Sequence, residues 1–171
     1  MKTSSIKIFA VLIFSAIGLL CFGQEKKPSP RDSISGKIDK ARISINYGSP
    51  SVKGRKIWGD LVSFNKVWRA GANEATVFTT DQALTIGGKT LAAGKYSFFV
   101  LPAANQWIII FNKTANQWGA YEYKEKDDAL RVTIKTKKAS ALQERLVYKI
   151  NKNSVSLIWE NLEAVIPVES K

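Results

Sequence analysis

Chemistry in this chain has to be done without histidine, and its single cysteine, Cys21, and single methionine, Met1, both fall within the first twenty-three residues. If that stretch is removed, no thiol nucleophile, no Ser-His or Cys-His arrangement, no disulfide and no zinc site of the Cys or His kind can be assembled. What remains is carboxylates, lysine, arginine, tyrosine and hydroxyls. Two acids about 5 to 10 Å apart suffice for glycoside hydrolysis, and Asp60, Glu74, Glu122 and Asp127 stand in segments without strand periodicity. Such a carboxylate-dependent hydrolase, with Glu74 as one of its acids, is the enzymatic alternative.

The densest collection of polar and aromatic groups is the stretch from Lys53 to Thr76, which is long for a mere connection. Connections of that length in compact domains are often binding loops. It brings Lys53, Arg55, Trp58, Trp68, Arg69, Asn73 and Glu74 together in sequence, and Trp118 and Tyr121 lie in a second irregular stretch. These nine are the candidate ligand-binding residues. Each also has a plainer role. Glu74 can pair with Arg69 or Arg55 and pin the loop, Asn73 can satisfy turn backbone, and Trp68 can plug one end of a sandwich. Trp107 and Trp159 lie in apolar runs and are expected in the core.

Three motif matches carry little. Lys53-Gly54-Arg55-Lys56 after Gly48 lacks both the glycine spacing of a phosphate loop and its Lys-Ser or Lys-Thr pair. Ser63-x-x-Lys66 has the spacing of penicillin-recognising enzymes, but Lys89-Thr90 is followed by Leu91 rather than glycine. The acids from Glu122 to Asp128 lack the alternation of a calcium loop and include Lys124 and Lys126. No metal and no cofactor is implied.

The elements that must position these residues read mainly as β-strands. Ala41, Ile43, Ile45 and Tyr47 alternate with polar residues, as do Leu130, Val132 and Ile134, and Leu146, Tyr148 and Ile150. Tyr96 to Leu101 and Trp107 to Phe111 are apolar on both faces and predict a central hairpin covered on both sides. Gly87-Gly88 and Asn151-Lys152-Asn153 supply turns, and Pro167 marks the last strand as a sheet edge. Helical spacing is confined to Ile57 to Trp68, where one short helical turn is predicted. Eight or nine strands predict an all-β, mainly antiparallel, sandwich-like two-layer domain.

Lys2 and Lys7 precede an apolar run from Ile8 to Phe22, the layout of a secretory signal peptide, with cleavage expected after Gly23. A lipoprotein acylated at Cys21 is the less favoured alternative, because Leu20 precedes the cysteine. Residues 24–31 read as a flexible leader and 32–171 as one domain. Without Lys2 and Lys7, 24 of the 26 basic side chains face 14 acids. A basic exported domain suits an anionic envelope surface, as a peripheral contact, better than nucleic acid, for which no motif is present.

The stretches Tyr47 to Pro50, Lys53-Gly54-Arg55 with Gly59, and Val67-Trp68-Arg69 with Gly71-Ala72-Asn73-Glu74-Ala75-Thr76 resemble the signature of the bacterial domain of unknown function family 2911. IGGKTLAAGKYSFFVLP, WIIIFNK and QWGAYEYKEKDDALRV extend the similarity over nearly all of the chain beyond the signal. The resemblance implies a secreted β domain and supplies no mechanism. Two positions depart from the pattern. Ser49 stands where many relatives carry arginine, and Ser63-Phe64-Asn65 where Pro-aromatic-Gly is usual. If position 49 faces a ligand, an anion-binding role there does not carry over.

The expectation is therefore a periplasmic or secreted, non-enzymatic binding or envelope-associated module for a polar ligand, either a glycan or an anionic small molecule. The carboxylate-dependent hydrolase and a purely structural role are the alternatives.

Overall fold

The computed structural model describes residues 28–171, so the expected signal peptide and Cys21 lie outside the described residues. Nine strands follow in order: β1 (Arg31–Ile38), β2 (Ala41–Gly48), β3 (Thr76–Thr80), β4 (Leu84–Ile86), β5 (Lys89–Leu91), β6 (Gly94–Pro102), β7 (Gln106–Asn112), β8 (Asp128–Ile150) and β9 (Ser154–Ser170). They form one antiparallel sheet in the order β1-β2-β3-β6-β7-β8-β9-β4-β5. The all-β class and its antiparallel character are as the alternation predicted.

One strand turns the sheet over on itself. β8 pairs with β7 from Asp128 to Lys135 and with β9 from Thr136 onward. Its register slips between Lys138 and Gln143 and again before Val147, and bulges of this kind bend a strand and increase its twist. Opposite Gln143 stands Glu160 with φ 54°. The turn-over brings late β8 back against the first layer: the Tyr47 and Tyr148 rings meet edge-on at 4.7 Å, and Phe98 meets Tyr148 at 5.9 Å.

The main core fills the space between the layers, with Trp107, Trp159, Phe78, Phe98 and Phe111 fully buried. A smaller cluster of Ala75, Phe99 and Ile110, with Val67, Ala120 and Tyr123 packed on it, covers the opposite face of β6 and β7. This is the covering on both sides that their apolar runs predict.

Three expectations are corrected. No helix forms between Ile57 and Trp68. Gly59 at φ 82° and Asn65 at φ 58° break any right-handed run, and the sole helical turn among the described residues is Glu125–Asp127. Pro167 does not mark an edge, because β9 lies between β8 and β4. The proline falls where β9 passes from one partner to the other, after Ala164 and before Val168, so no ladder bond is asked of it. Finally, the expected leader is not free at its end. Arg31 already belongs to β1, and the Pro30 carbonyl accepts a bond from the Ser49 amide at 2.9 Å.

Candidate functional site

The β2–β3 connection, residues 49–75, is long but anchored along its length. Lys53 and Gly54, at φ 49° and 67°, make a tight turn closed by the Arg55 amide on the Val52 carbonyl at 3.0 Å. The amides of Asn65 and Trp68 donate to Pro102 and Val100 on β6, both at 2.8 Å, and Val100 donates back to Trp68 at 2.9 Å. Ala72 donates to the Gly48 carbonyl and Ala75 to the Gln117 carbonyl. Gly48 and Ala72 approach so closely that a Cβ at Gly48 would collide with the Ala72 carbonyl. The glycine is therefore a packing requirement.

At the next turn Ala70, with φ 52°, is fully buried. Its carbonyl accepts two hydroxyls, Thr76 Oγ1 at 2.9 Å and Tyr148 Oη at 2.8 Å. Burial of Tyr148 pushes its phenol well above the usual tyrosine range, so it stays a donor. Two strands from different layers thus hold the turn beside Arg69.

These anchors leave an open cavity of about 560 Å³. Its wall carries Arg55, Lys66 and Arg69, together with Trp68, Asn73 and Tyr121. None of the lining residues is an acid. The three cations also make no ion pair among the described residues. Arg55 is instead oriented by carbonyls, its Nε donating to Val52 O at 3.0 Å and its Nη2 to Ser51 O. Tyr121 is 82% exposed at the mouth, and Trp68 stacks on Trp159 at 5.9 Å with the rings 15° apart.

Of the nine residues singled out in the sequence, five line this cavity: Arg55, Trp68, Arg69, Asn73 and Tyr121. Lys53 is exposed outside it. Trp58 is buried against Trp107, ring centroids 4.6 Å apart, and so belongs to the core. Glu74 and Trp118 line a second cavity of about 240 Å³ with Arg31, Asn116 and Gln117. Lys66 and Ser63 were missed as wall residues. Both come from the Ser-x-x-Lys stretch, but no hydrogen bond joins the Ser63 hydroxyl to the Lys66 amine, as activation of a serine nucleophile would need.

Glu74 does not pair with Arg69 or Arg55. Its carboxylate meets Arg31 Nη1 at 3.3 Å, and the Asn73 amide donates to Ser29 O at 3.0 Å. The two motif residues therefore hold the start of the domain. Ser49 is buried and its hydroxyl donates to Leu146 O at 2.8 Å, so position 49 faces the interior.

The remaining acids form no cleft. Asp60 and Glu122 are exposed, and neither they nor Asp127 line either cavity. Asp128 accepts from Tyr123 Oη at 2.7 Å and Asn112 Nδ2 at 2.8 Å, and Arg131 bridges Glu125 and Asp128. Burial, then the Asp128 carboxylate, raises the Tyr123 phenol. Among the described residues no group of three or more acids gathers as a metal site would require.

A family model described as Protein of unknown function (DUF2911) matches residues 29–168. No curated protein and no solved structure matches the chain.

Proposed function

We propose, for a chain that belongs to the family Protein of unknown function (DUF2911), the role of an exported, non-enzymatic binding module. Its β2–β3 loop takes a negatively charged polar ligand, of the class of acidic glycans or anionic small molecules. One observation carries this reading: Arg55, Lys66 and Arg69 share the wall of one cavity that contains no carboxylate. Like charges gathered without counter-charges repel one another, and an anion relieves that repulsion. Trp68 and Tyr121 add ring surface on which a sugar or other flat apolar face can lie.

The hydrolase reading lacks a pair of acids in this cavity. A purely structural reading accounts for Asn73 and Glu74, which tie down Ser29 and Arg31, but not for the Arg69 guanidinium, which makes no ion pair among the described residues. Export rests on the charged and apolar layout of residues 1–23.

The test is a thermal-shift screen of the purified protein against uronic acids, sugar phosphates, inorganic phosphate and lipopolysaccharide fragments. A ligand that binds the native state raises the midpoint. Lys66→Glu, at an exposed position, is expected to weaken such a ligand about tenfold or more, and added salt to weaken it further. A midpoint shift indifferent to both Lys66→Glu and salt would refute the anionic reading.

A further inference from the structure

Five large apolar side chains are exposed among the described residues: Leu61, Phe64, Trp118, Tyr121 and Leu142. Four of them lie on two loops, one from Ile57 to Lys66 and one from Trp118 to Tyr121. The loops meet where Leu61, Lys66 and Tyr121 share the wall of the first cavity. Leu142 lies elsewhere, on the bulged part of β8. Single exposed apolar residues are ordinary on a protein surface, whereas a gathered set rimmed by polar groups marks a contact surface.

The first loop cannot withdraw its apolar side chains. Ile57, Trp58 and Val62 are already buried. The Val62 amide donates to the Ile57 carbonyl and the Gly59 amide to the Val62 carbonyl, both at 2.9 Å. Leu61 is held out between these anchors at 48% exposure. The Phe64 ring lies against Gly59, where a Cβ would come within 2.8 Å of it. On the second loop Gly119, at φ 65°, lets the Tyr121 ring and the Arg69 guanidinium approach one point, where a Cβ would meet them at 2.9 and 3.1 Å.

Cations accompany these side chains. Arg55, Lys56 and Lys66 are exposed, and the Lys56 carbonyl accepts from the Leu61 amide. The exposed acids of the same stretches are Asp60 and Glu122, so with Arg69 positive charge prevails.

We propose that this face, Leu61, Phe64 and Tyr121 among Arg55, Lys56 and Lys66, docks the domain on an anionic lipid surface. The apolar side chains enter the boundary between headgroups and acyl chains, and the cations meet the lipid phosphates. Tyrosine suits that depth, since its ring is apolar and its hydroxyl stays in water. A second copy of the chain is disfavoured as occupant, because two such faces would bring like charges together. A soluble anion would engage the cations but leave Leu61 and Phe64 in water. Lipid docking goes beyond the binding of a soluble anion in the cavity, although both use the same cations.

The experiment records tryptophan emission of the purified protein mixed with phosphatidylglycerol vesicles whose acyl chains are brominated and quench any indole held close to them. Residues 1–27 contain no tryptophan, and Trp118, close in sequence to Tyr121, is the one exposed indole of the five. Quenching is expected to saturate, to be far weaker with brominated phosphatidylcholine, and to fall with added salt. Leu61→Ser with Tyr121→Ser, and Lys56→Glu with Lys66→Glu, should each weaken it about tenfold or more. All four positions are exposed, and unchanged thermal midpoints verify that the variants fold. The proposal is overturned if phosphatidylglycerol vesicles give no quenching, or if either double variant is quenched like the wild type. A midpoint still raised by inorganic phosphate would in that event leave the anion site standing, so the two readings fail separately.

Discussion

The Ala70 carbonyl offers a quantitative test of how the cavity wall is held. It is buried, its residue sits at φ 52°, and its donors are the Thr76 and Tyr148 hydroxyls. Tyr148→Phe or Thr76→Val alone removes one donor and leaves the other, so each is expected to cost about 1 kcal/mol, the usual net worth of one hydrogen bond. The double variant leaves a buried carbonyl with no donor, a further cost of about 1–3 kcal/mol. The expected total is about 4 kcal/mol, with a coupling of about 2 kcal/mol between the two sites. Urea unfolding of the four proteins in the cycle reads this directly, as shifts of midpoint at constant slope. Effects that add to within about 0.5 kcal/mol would refute the reasoning, because the carbonyl would then have another partner. The same cycle repeated with a bound anion should show weaker binding in the double variant, since Arg69 immediately precedes this turn.

Three further outcomes follow from the geometry. Glu74→Gln should lower the thermal midpoint by no more than about 2 °C, because its pair with Arg31 is open to solvent on both sides and such pairs contribute about 0.5 kcal/mol; calorimetry showing a loss several times larger would make Glu74 the structural lock. Gly48→Ala should cost about 3 kcal/mol in urea unfolding, as a Cβ there meets the Ala72 carbonyl, and a near-neutral result would mean that the loop yields easily. Burial, with the nearby Asp32 carboxylate, holds the Tyr47 phenol up at about 12 against an ordinary 10.0, and Tyr123 is raised for similar reasons. Below pH 10 both folded and unfolded chains keep these protons and the contribution is complete. As pH rises toward 12 the unfolded chain ionises first, so stability falls. Tyr47→Phe should flatten that fall, measured by circular dichroism melts across the alkaline range.

Strand alternation was legible wherever one face met the core and the other met water, as in β2, whose residues alternate buried and exposed from Ala41 to Tyr47. It was less legible in β8. Leu130 to Lys135 and Arg145 to Ile150 read as separate strands because the bulged stretch between them breaks the period. The helical spacing of Leu61, Phe64 and Trp68 was misleading for a different reason. Trp68 packs inward on Trp159, but Leu61 and Phe64 are exposed, and their spacing is that of a loop pinned at Asn65 and Trp68. At the site, the sequence distinguishes residue types but not walls. Lys66 is one of 26 basic side chains, and only the loop's attachment to β6 turns it toward Arg55 and Arg69. Arg31 was read as leader because Pro28 and Pro30 precede it, whereas β1 pairing begins at Arg31 opposite Gly48.

Arginine is held in two different ways in this fold, and the difference bears on what the loop is for. Arg131 lies between Glu125 and Asp128, at 2.7 and 3.3 Å, so its charge is neutralised where it stands and its effect is to tie β8 to the preceding turn. Arg55 is fixed equally well, but by the carbonyls of Ser51 and Val52, which orient the guanidinium without cancelling its charge. A carboxylate partner provides both geometry and charge compensation. Fixing Arg55 by carbonyls alone leaves a full positive charge in a wall shared with Lys66 and Arg69, in a loop whose backbone is bonded to β2 and β6 before any ligand arrives. A loop backbone that is already anchored loses little conformational freedom when the cavity is occupied. Solubility alone would be served as well by the exposed lysines of β8, and does not account for three uncompensated cations facing one cavity.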